Sequence, residues 1–291
     1  MAIASADIFL DETLVRRLLR EQHPDLADLD LRLVANGWDN DLYRLGSDLV
    51  VRLPRRKVAV PLIEQEQRWI PAIADRVSIA VPRPIRIGVP SDVFPWPWTI
   101  TTWFEGTIAS ETPFAKHDSL AADLARFVRE LHAAAPVDAP RNPFRGVPLA
   151  EREPAMRDRL ASGRVPHSDE VEAAWRHALG ARPWNSDAVW LHGDLHPANI
   201  LTRDGRLAAV LDFGDLTSGD PATDLATAWL TFDPDGRSQF RAALDYDDET
   251  WRRASGWALV LAGAFLVGSV DSPAMLAIGT HGIEQVLLER S

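Results

Sequence analysis

The hydrophobic pattern changes character once along these 291 residues, and that change restricts the architecture more than any single residue does. Short β-type runs come first: Leu29 to Val34, Leu42 to Leu45 and Asp48 to Leu53, separated by the turn-rich pairs Asn36-Gly37 and Gly46-Ser47. They read as a meander of hairpins. Ile63 to Ala74 has helical periodicity, and strands are expected at Ile85 to Val89 and, after the stiff Phe94-Pro95-Trp96-Pro97-Trp98 stretch, at Thr99 to Phe104. From His117 onward helices dominate: Leu120 to Ala134, Glu151 to Ala161, Asp169 to Leu179, Pro221 to Leu230 and three more up to Glu289. Short strands interrupt them around Val189, Ile200 and Val210. At the start, Asp11 can cap a helix whose residues Leu14, Val15, Leu18 and Leu19 recur at helical spacing; it is expected to be peripheral and to end at Pro24. Strands with one helix, followed by a largely helical half, predict an α+β protein. The expected lobes are residues 1–104 and 105–291, with a boundary near Glu105 to Ile108, and Pro136 to Pro148 reads as a loop.

Composition narrows the function classes. With 46% hydrophobic and 25% charged residues the chain is an ordinary globular one. A formal net charge of −11 repels phosphate backbones and anionic headgroups, so nucleic acid and membrane partners are not expected, whereas a cationic small molecule would be attracted. The absence of cysteine excludes disulfides, thiolate nucleophiles and cysteine metal sites. Met1 to Leu10 lacks a basic stretch followed by a long apolar run, and Trp257 to Val270 is too short to span a bilayer, so a cytoplasmic location is expected.

The chemistry concentrates between Leu191 and Leu201. An apolar run, Ala188 to Leu191, delivers His192-Gly193-Asp194, and a second begins at Ile200 directly after Asn199. A carboxylate on such a tight loop can accept or orient a hydroxyl proton, while an Asn side-chain oxygen further along it can reach a divalent cation bound to phosphates. Leu207 to Leu211 then ends at Asp212-Phe213-Gly214, a second carboxylate at the junction of a buried strand and a glycine. Mg²⁺ prefers hard oxygen ligands and takes only one or two from protein, which Asn199 and Asp212 would supply. The alternation His192-x-Asp194-x-His196 leaves a different reading open, a His/Asp metal-dependent hydrolase.

Three motifs in order, His192-Gly193-Asp194-Leu195-His196-Pro197-x-Asn199, Asp212-Phe213-Gly214 and Gly219-Asp220-Pro221-x-x-Asp224-Leu225-Ala226, resemble those of the aminoglycoside phosphotransferases, which share the protein-kinase fold. The resemblance covers most of the chain. It implies a bilobal fold with a small antiparallel-sheet N-lobe that binds nucleotide and a mainly helical C-lobe that holds the catalytic loop and the acceptor. It makes Asp194 the catalytic base, Asn199 and Asp212 the Mg²⁺ ligands, and Asp224 a buried brace of the loop. His192 would be structural, Asp220 could cap the helix beginning at Pro221, and His196 occupies the place of a kinase lysine near the transferred phosphate.

In the first lobe, Arg52 lies inside the apolar run Val50-Val51-Arg52-Leu53, where a charge needs an anion. The resemblance makes it the nucleotide phosphate anchor, with Arg in the place of the kinase Lys, paired to a helix carboxylate. Glu66 is preferred to Glu64 because Glu66-Gln67-Arg68-Trp69-Ile70-Pro71 resembles the family helix; helical spacing alone does not choose. Asn36-Gly37-Trp38-Asp39-Asn40 stands where a phosphate-covering turn belongs, which would bring Asn36, Gly37 and Asn40 near the nucleotide, although an ordinary hairpin explains the same residues. Thr102, Trp103 and Phe104 resemble the hinge whose backbone holds the nucleobase. For the acceptor, Glu153 and Asp158 on one helix and Asp247 and Asp248 before Trp251 could receive ammonium groups, or serve as caps and solvated faces. The expected reaction is Mg²⁺-dependent transfer of the γ-phosphate of ATP or GTP to a hydroxyl of an aminoglycoside-type antibiotic. Macrolides and metabolic alcohols of the sugar, choline or homoserine type are the alternative acceptors.

Overall fold

The computed structural model describes residues 6–37 and 39–290. Trp38 of the expected phosphate-covering turn, the first five residues of the N-terminal stretch and Ser291 lie outside them. The chain divides into two compact units. One comprises the described residues up to Asp75 with Ala80–Glu105, the other Arg76–Ile79 with the described residues from Gly106 on.

The first unit contains α1 (Glu12–Gln22), β1 (Leu31–Asn36), β2 (Asn40–Leu45), β3 (Leu49–Pro54), α2 (Val60–Ala74), β4 (Pro84–Gly88) and β5 (Trp98–Thr102). The strands form an antiparallel sheet in the order β1-β2-β3-β5-β4, which puts β3 at its centre. Successive side chains on a strand point to opposite faces. On β3, Val51 and Leu53 join a core with Tyr43, Leu45, Phe94, Trp98 and Ile100, and the intervening Arg52 pairs with α2. The α1 helix starts where expected, with Asp11 accepting from the Leu14 N–H at 2.8 Å. It is not peripheral: Val15, Leu18 and Leu19 are fully buried in the same core. An apolar sheet face must be covered, and the helical stripe covers it. The last strand ends at Thr102, two residues earlier than predicted, so Trp103 and Phe104 lie beyond it.

The second unit contains β6 (Thr107–Ile108), α3 (Ala121–Leu131), α4 (Glu153–Ala161), α5 (Ser168–Leu179), β7 (Val189–Leu191), β8 (Ile200–Arg203), β9 (Arg206–Val210) and β10 (Thr217–Gly219). Next in the chain are α6 (Ala222–Leu225), α7 (Thr227–Thr231), α8 (Pro234–Ala242), α9 (Asp248–Gly268) and α10 (Pro273–Leu288). The single helix expected from Pro221 to Leu230 is two short ones. Trp257, Ala258, Leu259, Leu261 and Ala262 of α9 are fully buried, as expected for a helical stretch apolar on all sides, which follows the charged first turns of this helix. No helix among the described residues is long and apolar enough to cross a membrane. Two small antiparallel pairings, β7 with β10 and β8 with β9, frame the segments 192–199 and 211–216.

Leu18→Ala should lower unfolding stability by about 2–5 kcal/mol, the usual cost of a cavity in a packed core. Urea titration checks this, with the exposed Arg17→Ala on the same helix expected to change stability by less than about 0.5 kcal/mol.

Candidate active site

The loop after β7 is held by its backbone. The N–H groups of His192 and Gly193 donate to Asp224 Oδ2 and Oδ1 at 2.7 and 2.8 Å, and Asp224 is fully buried. His132 Nε2 approaches the same carboxylate at 3.2 Å and its Nδ1 meets the Tyr246 hydroxyl at 2.8 Å. Gly193 has φ +86°, and a Cβ there would lie 2.2 Å from the Asp215 carbonyl oxygen, so only glycine fits. His192 accepts from the Asp194 N–H at Nδ1 (3.2 Å) and donates through Nε2 to the Leu211 carbonyl (2.8 Å). Leu211 N–H in turn donates to the Asn199 carbonyl at 2.8 Å. Leu211, the residue before Asp212, is therefore tied to both ends of the loop.

Both oxygens of Asp194 are engaged. Arg145 Nη2 reaches Oδ1 at 3.2 Å and His196 Nε2 reaches Oδ2 at 3.0 Å, while 23% of the side chain stays accessible. Burial works to raise the Asp194 pKa, but His196, Arg145 and His192 outweigh it and hold the carboxyl well below its ordinary value. Asp215, which accepts from Asn142 Nδ2 at 2.6 Å, shifts the opposite way: burial and the charges of Asp194 and Asp212 outweigh Arg145 and Asn142. Asp212 has φ +57°, a strained conformation for a residue with a Cβ, and its Oδ1 accepts from Gly214 N–H at 3.4 Å. Asn199 donates its amide to the Asp194 carbonyl at 2.8 Å, which leaves the amide oxygen as its acceptor end.

These contacts bring Asp194, Asn199, Asp212, His192, His196 and Asp224 together, and they also bring corrections. His196 is 3% exposed, its Nε2 meets Asp194 and its Nδ1 accepts from Ala198 N–H, so both ring nitrogens are engaged. The hydrolase arrangement fails for a related reason, because both His192 nitrogens and both His196 nitrogens already have partners. Among the described residues no group of three or more His, Cys, Asp or Glu side chains is placed to hold a metal ion. Asp212 carboxylate and Asn199 amide oxygens form a hard, two-donor set, which fits Mg²⁺ that draws its other ligands from phosphates and water. Asp220 caps Ala222 N–H at 3.0 Å and also forms a buried two-contact pair with Arg253, at 2.7 and 3.1 Å.

In the sheet unit Arg52 and Glu66 form a buried bidentate pair, Nη2 to Oε1 being 3.0 Å and Nη1 meeting Oε2. Glu64 is exposed. Asn36 ends β1, and Gly37 N–H closes the turn on the Asn40 carbonyl at 2.8 Å. The Asn40 Oδ1 is buried without a hydrogen-bond partner among the described residues. Arg55 donates to the Gly37 carbonyl at 3.1 Å and Arg56 pairs with Asp39. Thr102 pairs with Leu49 at the end of β5. The Trp103 N–H donates to the Asp48 carbonyl at 2.7 Å, so it is not a donor for a nucleobase; Phe104 is half-buried.

Glu153 is held by Arg157 at 2.6 Å and by the Trp175 indole, whose hydrogen bond chiefly lowers its pKa against burial. Asp247 caps α9 through Thr250 N–H and hydroxyl at 2.8 and 2.6 Å. Asp248 starts that helix, about 25 Å by helix rise from Phe265, the residue whose ring meets His196 edge-on at 4.9 Å. Asp158 is exposed on α4. Sequence reasoning missed Arg145, Asn142 and Asp215. Arg145 is 48 and 49 residues from its partners Gly193 and Asp194, a separation no local pattern encodes. The only available signal was Asn142-Pro143-Phe144-Arg145-Gly146 itself, an aromatic and a cation inside a polar loop.

A model of the phosphotransferase enzyme family matches residues 30–257. A curated relative, an aminoglycoside 3'-phosphotransferase from Streptomyces fradiae, is 30% identical over 164 residues, 53% of this chain and 59% of that protein. The matched stretch thus spans less than two thirds of the relative. The GDP complex of wild-type aminoglycoside 2'-phosphotransferase-IIIa superposes with a TM-score of 0.71 at 19% identity, covering 97% of this chain and 100% of that one. Macrolide 2'-phosphotransferase MphH from Brachybacterium faecium, an apoenzyme, gives 0.61 at 22%, covering 92% and 96%. At these identities the likeness shows the fold, and it is the α+β kinase-like fold expected from the sequence motifs.

Arg52→Met should cost about 3–5 kcal/mol by removing the bidentate guanidinium from the buried Glu66 carboxylate, and adding Glu66→Met should recover most of it; chemical denaturation of the single and double variants decides. In a ¹³C carboxyl titration Asp194 should protonate below the ordinary 3.8 and Asp215 above it. The stabilisation from ionised Asp194 is then present above its unfolded pKa and lost as pH falls through the lower folded value. The reverse order of the two midpoints would contradict the charge arrangement.

Proposed function

Because the chain belongs to the phosphotransferase enzyme family, we propose that it transfers the γ-phosphoryl group of a nucleoside triphosphate, ATP or GTP, to a hydroxyl of a small molecule. The observation that carries the reading is the linkage of Asp194 and Asp212 through Leu211, whose carbonyl accepts from His192 and whose N–H donates to Asn199. A hydroxyl-orienting carboxylate and a candidate metal ligand are fixed by one set of backbone bonds.

Phosphoryl transfer passes through a loose transition state in which positioning and electrostatics do most of the work. Asp194 suits that requirement. Its lowered pKa makes it a weak base early in the reaction but keeps it ionised, so it can align an acceptor hydroxyl and accept its proton late. Asn199 and Asp212 would hold Mg²⁺, which when bound neutralises charge on the phosphates. In the sheet unit Arg52, oriented by Glu66, would anchor phosphate oxygens, the turn around Gly37 would cover them, and the backbone of Thr102 and Phe104 with the Trp103 carbonyl would supply contacts to the base. A nucleoside triphosphate donor fits a cytoplasmic location. Aminoglycosides are the first acceptor class to examine, since that is what the Streptomyces fradiae relative is named for; macrolides come second, from the name of a structural neighbour.

A nucleotide-consumption screen with ATP and GTP against aminoglycosides, macrolides and metabolic alcohols, followed by mass spectrometry of each acceptor, tests this. The expected result is Mg²⁺-dependent addition of one phosphoryl group to one acceptor class. Release of inorganic phosphate at the same rate with and without every acceptor would contradict it.

A further inference from the structure

Around Arg145, which touches Asp194, lies a group of arginines of which Arg152 and Arg159 have no part in phosphoryl transfer by Asp194, Asn199 and Asp212. Arg152 ends the helical turn Leu149–Arg152 and is 9% exposed. Among the described residues its Nε has no hydrogen-bond partner and no carboxylate forms an ion pair with it. Its guanidinium lies 5.4 Å over the Phe144 ring. The Phe144 carbonyl accepts from Arg145 at 3.4 Å, and Arg145 donates to the Gly193 carbonyl at 2.7 Å and to Asp194 at 3.2 Å. Arg159 on α4 donates to the Val260 carbonyl at 2.8 Å, and its Cδ lies 3.2 Å from where a Gly263 Cβ would be, on the turn of α9 that carries Phe265 against His196.

The three cations sense one another. Burial, then Arg152 and Arg145, push the Arg159 pKa down to about 10. Burial and Arg145 lower that of Arg152, against a small opposing pull from the exposed Glu151. A buried guanidinium without an anion costs free energy, and neighbouring like charges add to the cost. Its planar fork matches the oxygens of a carboxylate or a phosphate.

We propose that Arg152, flanked by Arg145 and Arg159, forms an oxyanion subsite beside Asp194 that receives a carboxylate or phosphate group during the reaction. This rests on the reading of Asp194 as the group that orients the acceptor hydroxyl. The oxyanion comes either from an anionic substituent of the acceptor or from the phosphoryl group being transferred. The chemistry recognised is the same.

Calorimetric titration with inorganic phosphate, without nucleotide, compares the wild-type chain with Arg152→Met and Arg152→Lys. The expected result is binding by the wild type, at least a tenfold loss in Arg152→Met and partial recovery in Arg152→Lys. In phosphate-free buffer the thermal midpoint of Arg152→Met should equal or exceed that of the wild type, because a buried unpaired charge has been removed. No phosphate binding by the wild type overturns the proposal, as does equal affinity in Arg152→Met, with or without a lower midpoint.

Acceptors that share a hydroxyl but differ in a carboxylate, glycerate with glycerol and serine with ethanolamine, separate the two sources. A raised KM of Arg152→Met for the carboxylate member alone, at constant nucleotide KM, assigns the subsite to the acceptor. A fall in kcat with every acceptor assigns it to the transferred phosphoryl group. Absence of turnover by the wild type with any acceptor would contradict the phosphotransferase reading, and the phosphate titration would still decide the subsite.

Discussion

The buried Asp224 carboxylate, accepting from the N–H groups of His192 and Gly193, is the interaction that holds the site in shape. A loop that turns sharply inside a protein leaves backbone donors without partners, and each unsatisfied donor would cost about 1–3 kcal/mol. Asp224 satisfies two of them at once. His132 and Tyr246 hold it from the other side, so the loop is braced against α3 and the segment leading into α9. Glycine at 193 is a consequence, since the peptide must bend to reach Asp224 and pass close to the Asp215 carbonyl.

From that anchor the geometry propagates to the chemistry. His192, fixed by its own backbone bond, uses its ring to grip Asp194 N–H and Leu211 carbonyl. Leu211 is the residue before Asp212, whose left-handed backbone turns the chain out of β9. The two acids are therefore held by one set of backbone bonds. Strain at Asp212 persists because the strand before it and the Phe213 side chain after it, 1% exposed and tilted against His192 at 4.6 Å, are both packed. Arg145 and His196 then set the charge state of Asp194.

Most of the architecture was legible in the sequence because it follows from periodicity: the meander, α2, and the order of helices after residue 117 appear close to where the pattern puts them. What failed did so for physical reasons. α1 carries too few residues to announce that it covers a sheet, yet its apolar stripe is what the core cluster needs. The Arg52–Glu66 pair was legible because a cation inside an apolar strand demands an anion. Arg145 was not, because its partners lie across the fold and its own loop shows no period. Among the acceptor candidates, Glu153 accepts from an indole N–H and Asp247 from a helix N-terminus, contacts that no local sequence pattern announces.

If Asp194 acts on the acceptor hydroxyl and not on the nucleotide, its two possible roles separate in a single variant. Asp194→Asn is to be assayed in parallel for Mg²⁺-nucleotide affinity by calorimetry and for phosphoryl transfer to whichever acceptor the wild type modifies. Nucleotide affinity should stay within a few-fold while transfer falls by about a hundredfold or more, the usual scale for a positioned proton acceptor. Transfer at the wild-type rate, or loss of nucleotide binding equal to the loss of transfer, would contradict that role.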